Sequence, residues 1–374
     1  MALSNQAMTL LLPLYALQVL DSPAYAALVV GFRGLGILLF DVPAGILVAR
    51  FGDKAVLLGA LVTHAAVMLV LAVASVEWLV PIAAIPLGSS MAAWFLGRQS
   101  YITDSSSAHE RGRAIAVMAG INRSGFFIGP VAGGFAANLY GYPIAFSIGA
   151  ILALVAAIIV FVSTRNVPRK KVPKETVFAV IGKILSSNSR LFATAGFVAL
   201  TIQLMRATQQ LLVPLFGTFV GLDVATIGLV VSLCAALDMS LFYPVGIVMD
   251  RWGRKWTGIP SMLVFVLGLL LLPFAQDFYS LLGAGLVLGL GNGLSTGIVM
   301  IIGMDIAPTD KRGEFLGVWR LLGDVGTVTG PLLAGVLVNI ATLGVASVVV
   351  AVLGLLGVGT FSFFVPETRH YSRD

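Results

Sequence analysis

Moved 201 residues along itself, the chain meets its own sequence again in one constant register. Gly45, Arg50, Gly52 and Lys54 fall on Gly246, Arg251, Gly253 and Lys255. Pro13 falls on Pro214, Gly88 on Gly289, Asp104 on Asp305, Arg111-Gly112 on Arg312-Gly313, and Gly129-Pro130 on Gly330-Pro331. One offset held across such widely spaced sites is the trace of a duplication, so the fold must be one that two like halves can build. Paired halves that rock about a site between them are one such architecture.

Composition decides which solvent the halves face. Hydrophobic residues make up 58% of the chain and charged residues 11%, with a mean hydropathy of +1.00; a soluble domain carries roughly 45–50% and 25%. The sequence divides into about twelve apolar stretches of the length that crosses about 30 Å of hydrocarbon at 1.5 Å per residue. The expected fold is therefore an all-α integral membrane protein with twelve transmembrane helices in two pseudo-symmetric six-helix halves. Residues 1–164 form the first bundle, 165–189 a linker, 190–366 the second bundle and 367–374 a tail. The seventh stretch begins near Arg190, and subtracting the offset places the start of the first stretch about eleven residues before Met1. The first helix is thus expected to be N-terminally truncated, or to be a short, tilted segment.

A net charge of +6 and a pI of 9.6 could signal nucleic acid, but the distribution of the charge argues otherwise. Of the 23 Lys and Arg, Arg33, Arg123, Arg206 and Arg320 lie within spans and the rest on one side. That side holds Arg50 and Lys54, Arg98, Arg111 and Arg113, the link from Arg165 to Arg190, Arg251 to Lys255, Lys311 and Arg312, and Arg369 and Arg373. The opposite loops carry only Asp21, Glu77, Asp223 and Asp277. The positive-inside rule then places both termini and the link in the cytoplasm of a cell-membrane protein. Basic residues of the link are also placed to touch anionic lipid. The expected partners are a small-molecule substrate and the lipid bilayer, with no nucleic acid, and the chain is expected to be a monomer. Cys234 stands alone, and three scattered histidines supply no metal cluster. There is no G-x-x-x-x-G-K-[ST] phosphate loop, so neither an enzyme nor an ATP-driven pump is expected, and no cofactor is. A proton gradient is the expected energy source.

The loop between the second and third spans reads Gly45-x-x-x-Ala-Arg50-x-Gly52-Asp-Lys54, and its copy reads Gly246-x-x-x-Asp250-Arg251-x-Gly253-Arg254-Lys255. The second copy is complete, and the pattern resembles the signature of the major facilitator superfamily. The resemblance covers essentially the whole chain. It implies a charge cluster with Asp104 or Asp305 that latches one conformation closed; the alternative is that these charges only fix topology. The first copy departs from the pattern at Ala49 and Asp53, which puts its latch in doubt. In the fifth span Gly125-x-x-x-Gly129-Pro130-x-x-Gly133-Gly134 resembles the antiporter motif of drug and proton exchangers in that superfamily, and implies hinge packing. Glycines every four residues make a groove for a neighbouring helix, and Pro130 removes a backbone hydrogen bond. Such exchangers usually carry an Arg four residues before Gly88, where this chain has Ala84.

Charges inside spans are costly and therefore candidates for function. They are Arg33, Asp41, Arg123, Arg206, Asp238, Arg320 and Asp324. Counted from the flanking arginines, Arg123 and Asp238 lie 12 and 13 residues deep, and Asp41 and Arg320 lie 9 and 8 deep; each pair matches in depth within about 2 Å. The family fold would bring each pair together across the halves, as coupling bridges or as static ties, with Arg320 to Asp324 competing within one helix. Gln203, Arg206 and Gln210 share one face of the seventh span. The resemblance places that face on the central cavity, with Asn292 and Ser295 as substrate-binding partners, and Tyr15, Gln18, Ser89, Ser90, Trp94 and Thr296 as further lining residues. His64, on a span that the family places at the periphery, is expected to be a packed neutral side chain. The expected function is a secondary active transporter working by rocker-switch alternating access, with proton-coupled efflux of small amphipathic compounds. The alternatives are a uniporter or symporter of a small anionic metabolite, and a non-transporting receptor or scaffold.

Overall fold

A computed structural model describes residues 1–73, 76–105, 111–164, 177–309 and 311–368. Arg165, Arg169, Lys170, Lys171, Lys174, His109, Arg369, His370 and Arg373, each given a place by the charge pattern, lie outside the described residues. The described chain is helical throughout: α1 (Ala2–Leu20), α2 (Pro23–Phe51), α3 (Asp53–Val73), α4 (Leu79–Ser105), α5 (Arg111–Tyr140), α6 (Tyr142–Ser163), α7 (Val177–Ser187), α8 (Ser189–Phe219), α9 (Val224–Trp252), α10 (Lys255–Phe274), α11 (Phe278–Ile306), α12 (Arg312–Ile340) and α13 (Leu343–Phe363). Ten of these are long and apolar enough to cross a membrane. The other two of spanning length, α1 and α5, carry Ser4, Asn5 and Gln6, and Asn122 and Arg123, within them. The link contains α7. Its 11 residues reach only about 16 Å, too short to span. It forms because one side is apolar, with Ile184 buried, while Lys183 on the other is exposed.

Helix ends follow from local chemistry. Gly52 (φ +86°) and Gly253 (φ +114°) make the two signature turns in a backbone region that side-chain-bearing residues rarely adopt. Asp277 opens α11 with a reciprocal pair: its carboxylate accepts the Ser280 N–H at 2.8 Å, and the Ser280 hydroxyl accepts the Asp277 N–H at 3.0 Å.

The chain divides into two compact units, Met1–Lys174 with Asp223–Ser232, and Glu175–Leu222 with Leu233–Asp374. In the first, α1 packs on α5, α2 on α4, and α3 on α4 and α6. In the second, α8 packs on α12, and α10 on α11 and α13. The three pairings of the second unit correspond under the 201-residue offset to α1 on α5, α3 on α4 and α3 on α6, and so do individual contacts. Lys54 Nζ donates to the Phe161 carbonyl at 2.7 Å, and Lys255 Nζ to the Ser362 carbonyl at 2.9 Å. A Cβ on Gly88 would strike the Arg33 carbonyl, and one on Gly289 would lie 2.6 Å from the Cys234 carbonyl. Each offset pair differs by 201 at both ends.

Candidate functional site

The second unit holds a partly buried polar chain inside its apolar helices, and its origin is a break in α11. Helical structure stops at Leu294 and resumes at Ile298, with Gly297 left-handed at φ +75°. The sequence Asn292-Gly-Leu-Ser295-Thr296-Gly297 explains the stop. The Ser295 hydroxyl turns back to donate to the Asn292 carbonyl at 2.9 Å, competing with helical bonding, and Gly297 takes the left-handed exit without steric cost. The break presents the Ser295 carbonyl to α8. There Arg206 Nη2 donates to that carbonyl at 2.9 Å and to the Ser295 hydroxyl at 2.7 Å, while Nη1 donates to Gln203 Oε1 at 3.0 Å.

The same segment reaches α9. Asn292 Nδ2 donates to Asp238 Oδ2 at 2.9 Å, and the Thr296 hydroxyl to Asp238 Oδ1 at 3.2 Å. Gly293 permits the approach, because a Cβ there would lie 3.1 Å from the Asp238 Cα. Asn292 Oδ1 is buried without a hydrogen-bond partner among the described residues. The helical spacing thus brings together Gln203, Arg206, Ser295, Asn292 and, unexpectedly, Asp238. Gln210 is exposed and outside this network. The signal that reading by charge alone passes over is the Ser-Thr-Gly run that breaks α11.

The second signature copy forms a compact charge cluster. Arg254 Nε donates to Asp305 Oδ2 at 3.0 Å, with the two side chains 11% and 10% exposed, and Arg254 Nη1 lies 3.5 Å from Asp250. Glu367, which the sequence reading did not single out, completes it. Its carboxylate accepts the N–H groups of Arg254 at 2.8 Å and Lys255 at 3.0 Å, at the helix N-terminus where anions are favoured. Thr368 donates to Asp305 at 2.9 Å. Gly253 is required here for space as well as for φ, since a Cβ would lie 2.6 Å from Glu367 Oε2. Arg251 is exposed. Gly45 and Gly246 have nothing within 4 Å of an added Cβ among the described residues, so close helix approach is not their role. In the first copy the residue that corresponds to Arg254 is Asp53, which is buried. An acid at that position cannot pair with Asp104 as Arg254 does with Asp305. Arg50 is exposed and lies over the Phe51 ring.

The glycines of α5 meet α1. A Cβ on Gly125 would lie 3.2 Å from Ala2, on Gly129 2.9 Å from Ala7 N, and on Gly133 2.9 Å from Ala7 Cβ. Gly134 faces Val224 at the start of α9. Beside Pro130, the Val131 N–H donates to Ser232 Oγ at 3.0 Å, so the disturbed backbone at the proline keeps a partner. Arg33 Nη2 donates to Asn5 Oδ1 at 3.0 Å, Asp41 is buried, and Arg320 Nε lies 3.7 Å from Asp324, one turn away. Arg123 is half-buried in α5.

Several expected lining residues are instead packing residues. His64 is packed as expected: it is 0% exposed, with the Ser4 hydroxyl at 3.0 Å and the Ser90 hydroxyl at 3.3 Å from its two ring nitrogens. Tyr15 is buried with its ring against Tyr142 and Phe146, and its hydroxyl donates to the Leu71 carbonyl. Ser89 bonds to the Gly36 and Ile85 carbonyls, and Gln18 is exposed. Outside the spans, Asp223 and Asp277 are held below the ordinary carboxylate range. For Asp223 the Thr226 N–H is the largest cause and its hydroxyl the next; for Asp277 it is the Ser280 hydroxyl, then its N–H.

Comparison with known proteins accords with this architecture. The chain is 25% identical over 295 residues to the multidrug resistance protein MdtG of Salmonella choleraesuis, covering 77% of this chain and 72% of that one. It is 23% identical to the uncharacterized MFS-type transporter MJ1560 of Methanocaldococcus jannaschii, over 60% of this chain and 58% of that one. It is 33% identical over 99 residues to the efflux transporter pyiT of Pyricularia grisea, of whose length it covers 16%. The fold superposes on a mutant of the nucleoside transporter NupG with a TM-score of 0.78 at 14% identity, covering 98% of each chain. The Major Facilitator Superfamily model matches residues 1–243 and 195–374. The chain spans less than two thirds of the length of MJ1560 and of pyiT, yet two repeated helical units, a repeated charged turn and a family match along the chain lead to one conclusion: this is a multi-pass membrane protein and a member of the Major Facilitator Superfamily.

Proposed function

We propose that the chain is a secondary active transporter that exports small amphipathic compounds in exchange for protons, by alternating access of its two halves. The observation that carries this reading is the Gln203–Arg206–Ser295–Asn292–Asp238 chain at the break in α11. Charged groups kept within membrane helices are costly unless they serve binding or coupling. In this reading Arg206, Gln203 and Asn292 hold polar groups of the substrate, and Gln210 lines the path to them. Arg123 pairs with Asp238, and Asp41 with Arg320, across the halves. Asn292 with Thr296, and Asp324, are the partners to which Asp238 and Arg320 return when those bridges open. The Arg254–Asp305 cluster holds the basic, cytoplasmic side closed in one state. The protein works as a monomer in the cell membrane with both termini cytoplasmic. The efflux and multidrug names of relatives at 25–33% identity support the direction and the substrate class.

The test is counterflow in proteoliposomes with a panel of dyes and organic anions, with and without a pH gradient. Counterflow that an imposed gradient drives uphill in the wild type, and that is lost in Asp238→Asn while passive exchange persists, is the expected result. Exchange indifferent to the gradient would replace proton coupling with uniport, the reading that Ala84 favours. Absence of counterflow for every probe would overturn transport of this substrate class. Charge exchange sharpens the bridge: Arg123→Asp with Asp238→Arg should recover activity that either single change loses.

A further inference from the structure

The setting of Arg98 on α4 is unlike those of Arg33, Arg206 and Arg320. Arg33 donates to Asn5, Arg206 to Gln203 and Ser295, and Arg320 faces Asp324. Arg98 is half-buried on α4, yet among the described residues it makes no hydrogen bond or ion pair, and its Nε is buried without an acceptor. What holds it is aromatic: its guanidinium carbon lies 5.8 Å from the Trp94 ring centroid and 5.9 Å from that of Phe95. Trp94 is itself fixed, packed on the Ala44, Val56, Ala60 and Ala93 core.

Ring faces attract a guanidinium but satisfy none of its N–H groups. A partly buried guanidinium without an acceptor is expensive, and the planar fork of its donors matches a carboxylate. The position suits capture rather than storage. Seven residues separate Arg98 from the end of α4 at Ser105, about 10 Å along the helix, on the side whose basic loops are read as cytoplasmic.

We propose that Arg98, backed by Trp94 and Phe95, is a carboxylate subsite for organic anions with an apolar body. It takes the acidic group of a substrate entering from the basic side, while the rings flank the apolar part. The proposal rests on the transport reading for its purpose and narrows the amphipathic substrates to anions. The same chemistry could be met by an anionic lipid headgroup, and the experiment separates the two sources.

The probe is 1-naphthoate, with 1-naphthalenemethanol as its neutral counterpart. Equilibrium dialysis against the full chain in neutral detergent measures binding without transport, so failure here leaves counterflow to judge the transport reading by itself. The wild type should bind naphthoate and not the alcohol. Arg98→Gln should weaken naphthoate roughly tenfold or more, and Arg98→Lys less, because a single ammonium cannot take both oxygens. Trp94→Leu, with Arg98 intact, should also weaken it. Equal binding by wild type and Arg98→Gln, or none by either, would overturn the subsite and leave Arg98 a solvated anchor. Where Arg98→Gln fails to fold, the Arg98→Lys and Trp94→Leu affinities decide by the same criterion. Repeating the measurement in nanodiscs with and without phosphatidylglycerol completes the test: naphthoate retained in both supports the soluble anion, and naphthoate displaced by phosphatidylglycerol overturns it in favour of the lipid.

Discussion

The two halves share a framework and differ in what is attached to it. Gly88 against Arg33 and Gly289 against Cys234 are the same close approach, and Lys54 and Lys255 reach the same carbonyl position in the last turn of α6 and of α13. Around that framework the second half adds charge. Arg254 meets Asp305 where the first half has Asp53 and Asp104, and Arg206 engages a broken α11 where the first half has an unbroken α4. Asp277 and Asp223 cap loops whose offset counterparts are Val76 and Ser22, and Ser22 makes no side-chain cap bond. Duplication therefore preserves backbone contacts, which any change of side chain at a glycine would disrupt, and leaves polar clusters free to diverge.

The largest effect should come from attacking the shared framework. Gly88→Leu and Gly289→Leu should each cost roughly 3 kcal/mol or more, because the added carbons meet backbone that cannot swing aside. Similar losses of thermal stability at both positions would support equivalence, and tolerance at one alone would break it. Next comes the latch. Asp305→Asn should destabilise the protein by about 2 kcal/mol, since Asp305 receives both Arg254 and Thr368 in a largely buried site. An unchanged thermal unfolding temperature would mean that the second copy holds no tight latch.

Smaller again is the contrast between the two arginines. Arg206→Ala should cost about 2 kcal/mol and Arg33→Ala about 1 kcal/mol, because the former removes hydrogen bonds to the Ser295 carbonyl, the Ser295 hydroxyl and Gln203, and the latter removes one to Asn5. Arg206→Ala should also abolish substrate counterflow, and unchanged substrate affinity would reduce its role to stapling the break. The smallest effect belongs to the caps. Ionised Asp277 has a depressed folded-state pKa, so its contribution is present above the ordinary carboxylate range and is lost as pH falls through the depressed value. Asp277→Asn should therefore flatten the acid limb of the stability profile slightly, whereas Val76→Asp, at the position without a cap, should steepen it. Superimposable acid limbs would dismiss the cap as a source of pH dependence.

Much of the fold was legible because its cause is local. A span announces itself by about twenty apolar residues, and the charged turns at Gly52 and Gly253 by glycines that the backbone needs there. The α7 helix was missed because eleven residues inside a basic link carry too weak a pattern to separate from loop. The site was half legible. The spacing of Gln203 and Arg206 placed them on one face, but nothing in a linear reading ties Arg206 to Ser295, 89 positions away. Glu367 was invisible for the same reason: a lone acid after the last span has no periodicity or motif partner, and its role exists only where α13 returns it to the start of α10.

By itself the sequence determined the solvent, the rough placement of the spanning helices, and the duplication. Each follows from composition or from a repeat in chain order, which needs no knowledge of neighbours. Tertiary structure alone decided which glycines are close approaches, which acid seats Arg254, that Asp238 is held by Asn292 and Thr296, and that Arg98 rests on rings. Those outcomes depend on distances between residues far apart in the chain. Inside a membrane protein the cost of a polar group is set by what lies within about 3 Å of it, not by its place in the sequence.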